Sequence, residues 1–123
     1  MRIQIILAGV AAAALTAFPA AAQDGQYRDQ LSRIITEAAG GTCLAALMGP
    51  SLLDACNAQI EGMGPALTAL GAIESVTFVG AEDTPGGRVE TWAVKFAGGT
   101  TLNWFIGGQQ PDGKFDIVGT GQG

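Results

Sequence analysis

The spacing of apolar residues changes at Gly71, and this change limits the fold more than any other feature of the chain. Between residue 24 and Gly71, apolar residues recur at steps of three and four, which is typical of amphipathic helices. Beyond Gly71 they alternate with other residues, which is typical of strands with one buried face. Helices followed by strands predict an α+β domain, in which the N-terminal helices pack on one face of an antiparallel sheet.

The first predicted helix follows Asp24-Gly25 and ends at Gly40-Gly41, where left-handed conformations cost glycine little. Charged residues occupy its other face. Its apolar stripe consists of Tyr27, Leu31, Ile34, Ile35 and Ala38.

Two Gly-Pro pairs are predicted to divide the rest of the helical half into short pieces. The pieces run from Thr42 to Met48, from Leu52 to about Glu61, and from Ala66 to Leu70. Gly49-Pro50 and Gly64-Pro65 separate them, because proline cannot continue a helix. Ser51 stands three residues before Asp54, an acidic variant of the capping box that predicts the start of the second piece.

Alternation predicts four strands joined by short connections, and therefore an antiparallel meander. The predicted core positions are Val76 and Phe78; Trp92, Val94 and Phe96; Leu102, Trp104 and Ile106; and Phe115 and Ile117. The connections at 83–87, 97–100 and 110–113 are rich in Gly, Pro and Asp, which suit turns.

The opposite face of the predicted sheet carries little charge. Its apolar members are Val79, Ala93, Phe105 and Val118. This composition indicates a second covered surface, either a homodimer interface or a partner site, with Thr91, Asn103 and Phe105 as candidate binding residues. A half-polar exposed sheet with isolated apolar residues is the alternative interpretation.

Residues 1–22 are predicted to be a signal peptide, because Arg2 is followed by an apolar run that ends in Ala20-Ala21-Ala22. An uncleaved membrane anchor is the alternative. Cleavage leaves a single domain, 23–123, with a helical part at 24–71 and a sheet part at 72–120. We expect this domain to be periplasmic or secreted, without a membrane partner.

The two cysteines, Cys43 and Cys56, then predict a structural disulfide, since export leads to an oxidising compartment.

Composition excludes several classes of function. The chain has no His, which removes imidazole-based acid–base catalysis and zinc sites that need imidazole. Its net charge of −5 argues against nucleic acid as a partner. No pattern predicts a cofactor, a metal or a catalytic residue.

Glu74 and Glu90 have the same alternation as the core residues of their strands, but both lie near strand ends, so we expect solvated carboxylates. Tyr27, Trp92 and Trp104 are expected in the core.

Several segments resemble a known family. They are Leu70-Gly71 before the first strand, Trp92–Phe96, Leu102–Ile106, and the turn Asp112-Gly113-Lys114. Together they resemble the nuclear-transport-factor-2-like (cystatin-like) modules appended to serine hydrolases of the β-lactamase type. The Ser-x-x-Lys nucleophile motif of those hydrolases is missing, and the helical segment with the two cysteines departs from the family pattern.

The resemblance implies helices cradled by a curved antiparallel sheet, often dimeric through that sheet. Some members of the superfamily are enzymes that use a buried carboxylate and a Tyr in the space between helices and sheet. In the appended modules themselves no catalytic residue is established. The resemblance therefore favours an exported, non-catalytic module that binds a protein or a small molecule. The alternatives are a small-molecule enzyme of the ketosteroid-isomerase type and an inhibitor of a secreted hydrolase.

Overall fold

The computed structural model describes residues 25–121, and the predicted signal peptide lies outside them. The elements are α1 (Arg28–Ala39), α2 (Pro50–Leu70), β1 (Ile73–Thr84), β2 (Gly87–Phe96), β3 (Thr101–Gly107) and β4 (Ile117–Gly121). The four strands form one antiparallel sheet in chain order. Both helices pack against this sheet, so the predicted α+β class is confirmed.

Helix α1 has the amphipathic pattern that the sequence predicts. Its buried residues, Leu31, Ile34, Ile35 and Ala38, recur at steps of three and one along the side that faces the core. The helix ends before two glycines, and Gly41 adopts a φ of +92°, a conformation that side-chain-bearing residues rarely take. The predicted helix and its stop are both confirmed.

The predicted short helix from Thr42 to Met48 is wrong. Residues 45–47 form a turn, in which the Leu47 N–H donates to the Leu44 carbonyl over 3.0 Å. The next residues pair with a distant segment: the Phe115 N–H donates to Leu47 O and the Gly49 N–H donates to Phe115 O, both over 2.8 Å. The first turn of a helix is unfavourable to form, and a helix this short gains few hydrogen bonds in return. Pairing with the segment around Phe115 instead gives backbone N–H and C=O groups of this segment their hydrogen bonds.

The start of α2 also differs from the prediction. The helix begins at Pro50 with Gly49 as its N-cap, and no side chain caps it, so the capping box of Ser51 and Asp54 is wrong. Proline suits the first helical position because its φ is already helical and its missing N–H would have no partner there.

The predicted break at Gly64-Pro65 is wrong as well, because Pro65 lies inside a continuous α2. Tertiary contacts explain this outcome. Gly64 is buried against the end of α1, where an added Cβ would lie 3.1 Å from the Ala38 carbonyl oxygen. One turn later, the Thr68 hydroxyl donates to the Ala39 carbonyl over 2.7 Å. Packing of α2 on α1 thus offsets the hydrogen bond that proline removes.

The first three strands confirm the predicted alternation. Their inward side chains form the sheet side of the core, with Val76 opposite Val94 and Trp92 opposite Trp104 across the strand pairs. A register shift between Phe78 and Gly80 interrupts the alternation of β1. The core residues that are at most 1% exposed are Leu31, Ile35, Val94, Phe96, Ile106 and Phe115.

The last strand differs from its prediction. Phe115 is fully buried, but it precedes β4 and forms a parallel bridge with Met48. Ile117 is 38% exposed, whereas Val118 packs against the core opposite Ile106. The prediction reversed the two faces of β4, because it continued the alternation from Phe115 through residues that are not in the strand.

The Cys43–Cys56 disulfide is confirmed and joins the 42–49 segment to α2. The two cysteines are 13 positions apart in the sequence, and the bond closes the loop between them. Closing such a loop restricts the unfolded chain and thereby stabilises the fold.

We expect replacement of both cysteines by Ala to lower the free energy of unfolding by about 3 kcal/mol. Urea titration of both proteins, followed by tryptophan fluorescence, measures this change. The control is the same titration under reductant, which should destabilise only the parent protein. Equal midpoints for parent and variant without reductant would contradict the stabilising role.

Candidate functional site

An apolar cavity of about 150 Å³ lies between the two helices and the β3–β4 side of the sheet. Helix α1 contributes Ile34 and Ile35, α2 contributes Met63, and the sheet contributes Trp104 and Val118. The polar side chains at its edge are neutral, one Gln from α2 and one Thr from β4. Its lining is therefore neutral and largely apolar.

Small residues explain why space remains at this point. Ala38 of α1, Ala55 of α2 and Gly119 of β4 all line the cavity. Larger side chains fill the rest of the core, where Tyr27 and Phe115 pack edge to face with ring centroids 4.9 Å apart. The space between helices and sheet is therefore filled on the Tyr27 side and open on the Trp104 side.

One of the lining residues, Trp104, carries a buried indole N–H that has no hydrogen-bond partner in the described part of the chain. Trp104 is only 5% exposed, and its Nε1 is the one buried side-chain nitrogen or oxygen of residues 25–121 without a hydrogen-bond partner. Leaving such a donor unpaired costs about 1–3 kcal/mol. Trp92, directly opposite, differs because its Nε1 donates to a Glu90 oxygen over 2.9 Å.

Glu90 is fully buried, so the expectation of a solvated carboxylate is wrong for this residue. Its Oε2 accepts from Gln26 N–H at 2.7 Å and from Arg88 Nε at 2.8 Å. Its Oε1 accepts from Tyr27 N–H at 3.1 Å and from Trp92 Nε1 at 2.9 Å. Four donors satisfy the desolvated carboxylate, which explains how the core tolerates it.

Glu74 behaves as predicted. Its side chain is half exposed and lies 3.9 Å from the Lys95 ammonium, which is itself 53% exposed. Of the two carboxylates that share the parity of the core, only Glu90 is enclosed by the fold.

Tyr27 lies beside this buried carboxylate at the start of α1 and is 7% exposed. Burial raises the pKa of its phenol, the nearby Glu90 charge raises it further, and Arg88 opposes them. Neither Tyr27 nor Glu90 is among the residues that line the cavity. The structure therefore does not join them with Trp104 in one site.

The three candidate binding residues lie together on the outer face of the sheet. Thr91 is opposite Phe105, and Asn103 is two positions earlier on the same strand as Phe105. Phe105 is 36% exposed. One part of its ring packs on Gly121 of β4, so closely that a Cβ added to Gly121 would overlap the ring. Their part in binding stays a prediction.

Two further features of the described chain bear on the site. Neither helix among residues 25–121 has the length and apolar character that a membrane crossing needs. In the same range, His, Cys, Asp and Glu side chains form no group of three that would hold a metal ion.

We expect Glu90→Gln to lower the free energy of unfolding by about 3 kcal/mol, because the amide keeps the shape but presents an N–H₂ group to neighbours that are all donors. Chemical denaturation measures the change, and the Trp92 indole resonance should move in NMR spectra. Glu74→Gln is the matched control, with an expected change within about 0.5 kcal/mol. Equal effects of the two substitutions would contradict the network.

Titration of Tyr27 gives an independent check on the same region. Since the chain has a single Tyr, tyrosinate absorbance reports this residue alone. The midpoint should lie above the ordinary value of about 10 in the folded protein and return to it in denaturant.

The sign of the effect on stability follows from the raised pKa of Tyr27. Its contribution is fully present below the unfolded pKa and is lost as the pH rises through the folded pKa. Tyr27→Phe should therefore flatten the alkaline fall in stability. A folded midpoint at or below that of the unfolded chain would refute this account.

Comparison with known proteins gives no relative from which a role could be carried over. The sequence matches no protein-family model, no curated protein and no solved structure.

Proposed function

We propose that this protein is a non-catalytic module that binds one small, largely apolar molecule in the cavity between α1, α2 and the β3–β4 side of the sheet. The observation that carries the proposal is the cavity itself, about 150 Å³ of space with an apolar wall. The cavity opens to solvent beside the exposed lining residues Ala55, Gln59 and Thr120, so a molecule can enter it. An apolar cavity of about this size can hold a molecule as large as benzene.

The lining favours binding over catalysis. The lining residues include no Asp, Glu, Lys, Arg or Tyr, and the sulfur of Cys56 is held in the disulfide. General acid–base catalysis needs a titratable group within hydrogen-bond reach of the substrate. The buried acid that a ketosteroid-isomerase-like reaction would use is Glu90, whose oxygens already accept four hydrogen bonds elsewhere.

The proposal places the protein outside the cytoplasm, in the periplasm or in the secreted fraction. The disulfide supports this location, because such bonds persist in oxidising compartments. The apolar N-terminal run that ends in Ala20-Ala21-Ala22 supports it independently.

The proposal is tested with methylenecyclohexane, an apolar ring compound of suitable size, added to the protein labelled at its methyl groups. We expect the NMR signals of Ile34, Ile35 and Met63 to shift with a saturating dependence on concentration. Binding to the folded state alone should also raise the thermal midpoint.

A matched pair of variants locates the binding. Ala55 and Ala58 are both exposed residues of α2, but only Ala55 lines the cavity. Ala55→Leu should weaken binding at least about fivefold by occupying the entrance, since a loss of about 1 kcal/mol corresponds to that factor. Ala58→Leu should leave binding unchanged. Absence of shifts in the parent protein, or equal binding by both variants, would refute the proposal.

A further inference from the structure

We infer that the molecule bound in this cavity is a small amphiphile, whose apolar end fills the interior and whose polar end stays in water at the mouth, beside Gln59 and Thr120. The polar end is not an anion. The inference rests on the proposed binding function and names the chemical class and the orientation of the ligand. It is carried by the difference between the buried and the exposed residues of the lining.

The buried part of the lining is apolar. Five of its six side chains are hydrocarbon or sulfur groups, and the Nε1 atom of the sixth has less than 1 Å² of surface open to water. A hydroxyl or carbonyl group placed among these side chains would lose its water without gaining a partner from them, which disfavours that orientation. The six residues, each at most 6% exposed, are Ile34, Ile35, Ala38, Met48, Cys56 and Trp104.

The mouth of the cavity differs from this interior, because its exposed lining residues include two polar side chains. Gln59 belongs to α2 and Thr120 to β4, and Ala55 is the third exposed lining residue. A polar group at the mouth keeps its hydration, and the amide and hydroxyl side chains there can both donate and accept hydrogen bonds. An apolar group in the same place would leave hydrocarbon in contact with water.

The size of the cavity leads to the same orientation. Its volume of about 150 Å³ suits a single six-membered ring, since an apolar cavity of about this size holds benzene. A ligand larger than such a ring must therefore extend out through the mouth. The extending part lies in water, where a polar group is more favourable than hydrocarbon.

The charges of the elements at the mouth exclude an anionic end. Helix α2 carries Asp54 and Glu61 but no Lys or Arg, and β4 carries no charged residue. The whole chain has a net charge of −5. A carboxylate or phosphate at the mouth would be repelled, whereas an alcohol or an ether would not.

Two probes extended at opposite ends separate this inference from the proposed function. The parent probe is cyclohexylmethanol, a ring with one CH₂OH group. Its ethylene glycol ether is longer at the polar end, and its analogue with an isopropyl group on the ring carbon opposite the CH₂OH is longer at the apolar end. Both extensions add the same number of heavy atoms. NMR titration of the methyl-labelled protein gives the affinity of each compound.

We expect the glycol ether to bind as tightly as cyclohexylmethanol, within about twofold, because its extra atoms lie in water beyond the mouth. The isopropyl compound should bind at least about fivefold more weakly, the equivalent of about 1 kcal/mol, because the buried lining has no room for it. The ring protons of cyclohexylmethanol should show NOEs to the methyl groups of Ile34 and Ile35, and its CH₂OH protons should not.

A matched pair of variants tests the charge and the position of the polar end. Gln59 and Asn57 are both exposed residues of α2, but only Gln59 lines the cavity. Cyclohexanecarboxylate should bind more weakly than cyclohexylmethanol to the parent protein. Gln59→Lys should raise the ratio of carboxylate to alcohol affinity at least about threefold at low salt, through a new charge at the mouth. Asn57→Lys makes the same change in net charge and should alter the ratio much less.

The outcomes distinguish the two proposals. Weakened binding of the glycol ether, or binding of the isopropyl compound as tight as that of cyclohexylmethanol, would overturn the orientation and leave the binding function standing. Binding of methylenecyclohexane without cyclohexylmethanol would do the same. Carboxylate binding as tight as alcohol binding, or equal ratios in the two Lys variants, would overturn the assignment of the polar end. Binding of no probe would overturn both proposals.

Discussion

The buried carboxylate of Glu90 holds the start of α1 on the sheet, and the position of the cavity depends on this contact. Two of its four donors are the backbone N–H groups of Gln26 and Tyr27, at the entrance to α1. The other two belong to Arg88 and Trp92 on β2. Because these donors come from both elements, one carboxylate fixes the helix relative to the strand. The α1 residues that line the cavity lie about two to three turns further along this anchored helix.

The opposite wall of the cavity is fixed by a second group of contacts. The Thr68 hydroxyl ties α2 to the last carbonyl of α1, and the disulfide ties α2 to the 42–49 segment. That segment is bonded in turn to Phe115, which precedes β4. The two helices are thus held in place at Thr68 and at the disulfide, whose Cys56 itself lines the cavity. Small residues such as Ala38 and Gly119 leave open space that the helices do not close.

Local patterns predict α1 and the inward face of the first three strands, because periodicity and turn chemistry are properties of neighbouring residues. The disulfide was predicted on a different ground, the expected export of a chain with two cysteines. The errors concern distant partners. Glu90 was expected to be solvated from its place near a strand end, yet its donor Gln26 is 64 residues away. Pro65 stays within α2 because of contacts with α1. Alternation likewise assigns Trp104 to the core, but it cannot show whether the indole N–H has an acceptor, since that depends on three-dimensional neighbours.

The cross-strand tryptophan pair separates the part of the core that holds the hydrogen-bonded Glu90 from the part that borders the cavity. On β2, the Glu90 carboxylate accepts hydrogen bonds from the Trp92 indole and from the two backbone N–H groups at the start of α1. On β3, Trp104 lines a cavity whose lining residues include no charged side chain. A cavity whose lining holds no titratable side chain has nothing with which to move a proton. The division of polar groups between the two strands is therefore the physical reason why our proposal assigns binding, and not acid–base chemistry, to this cavity.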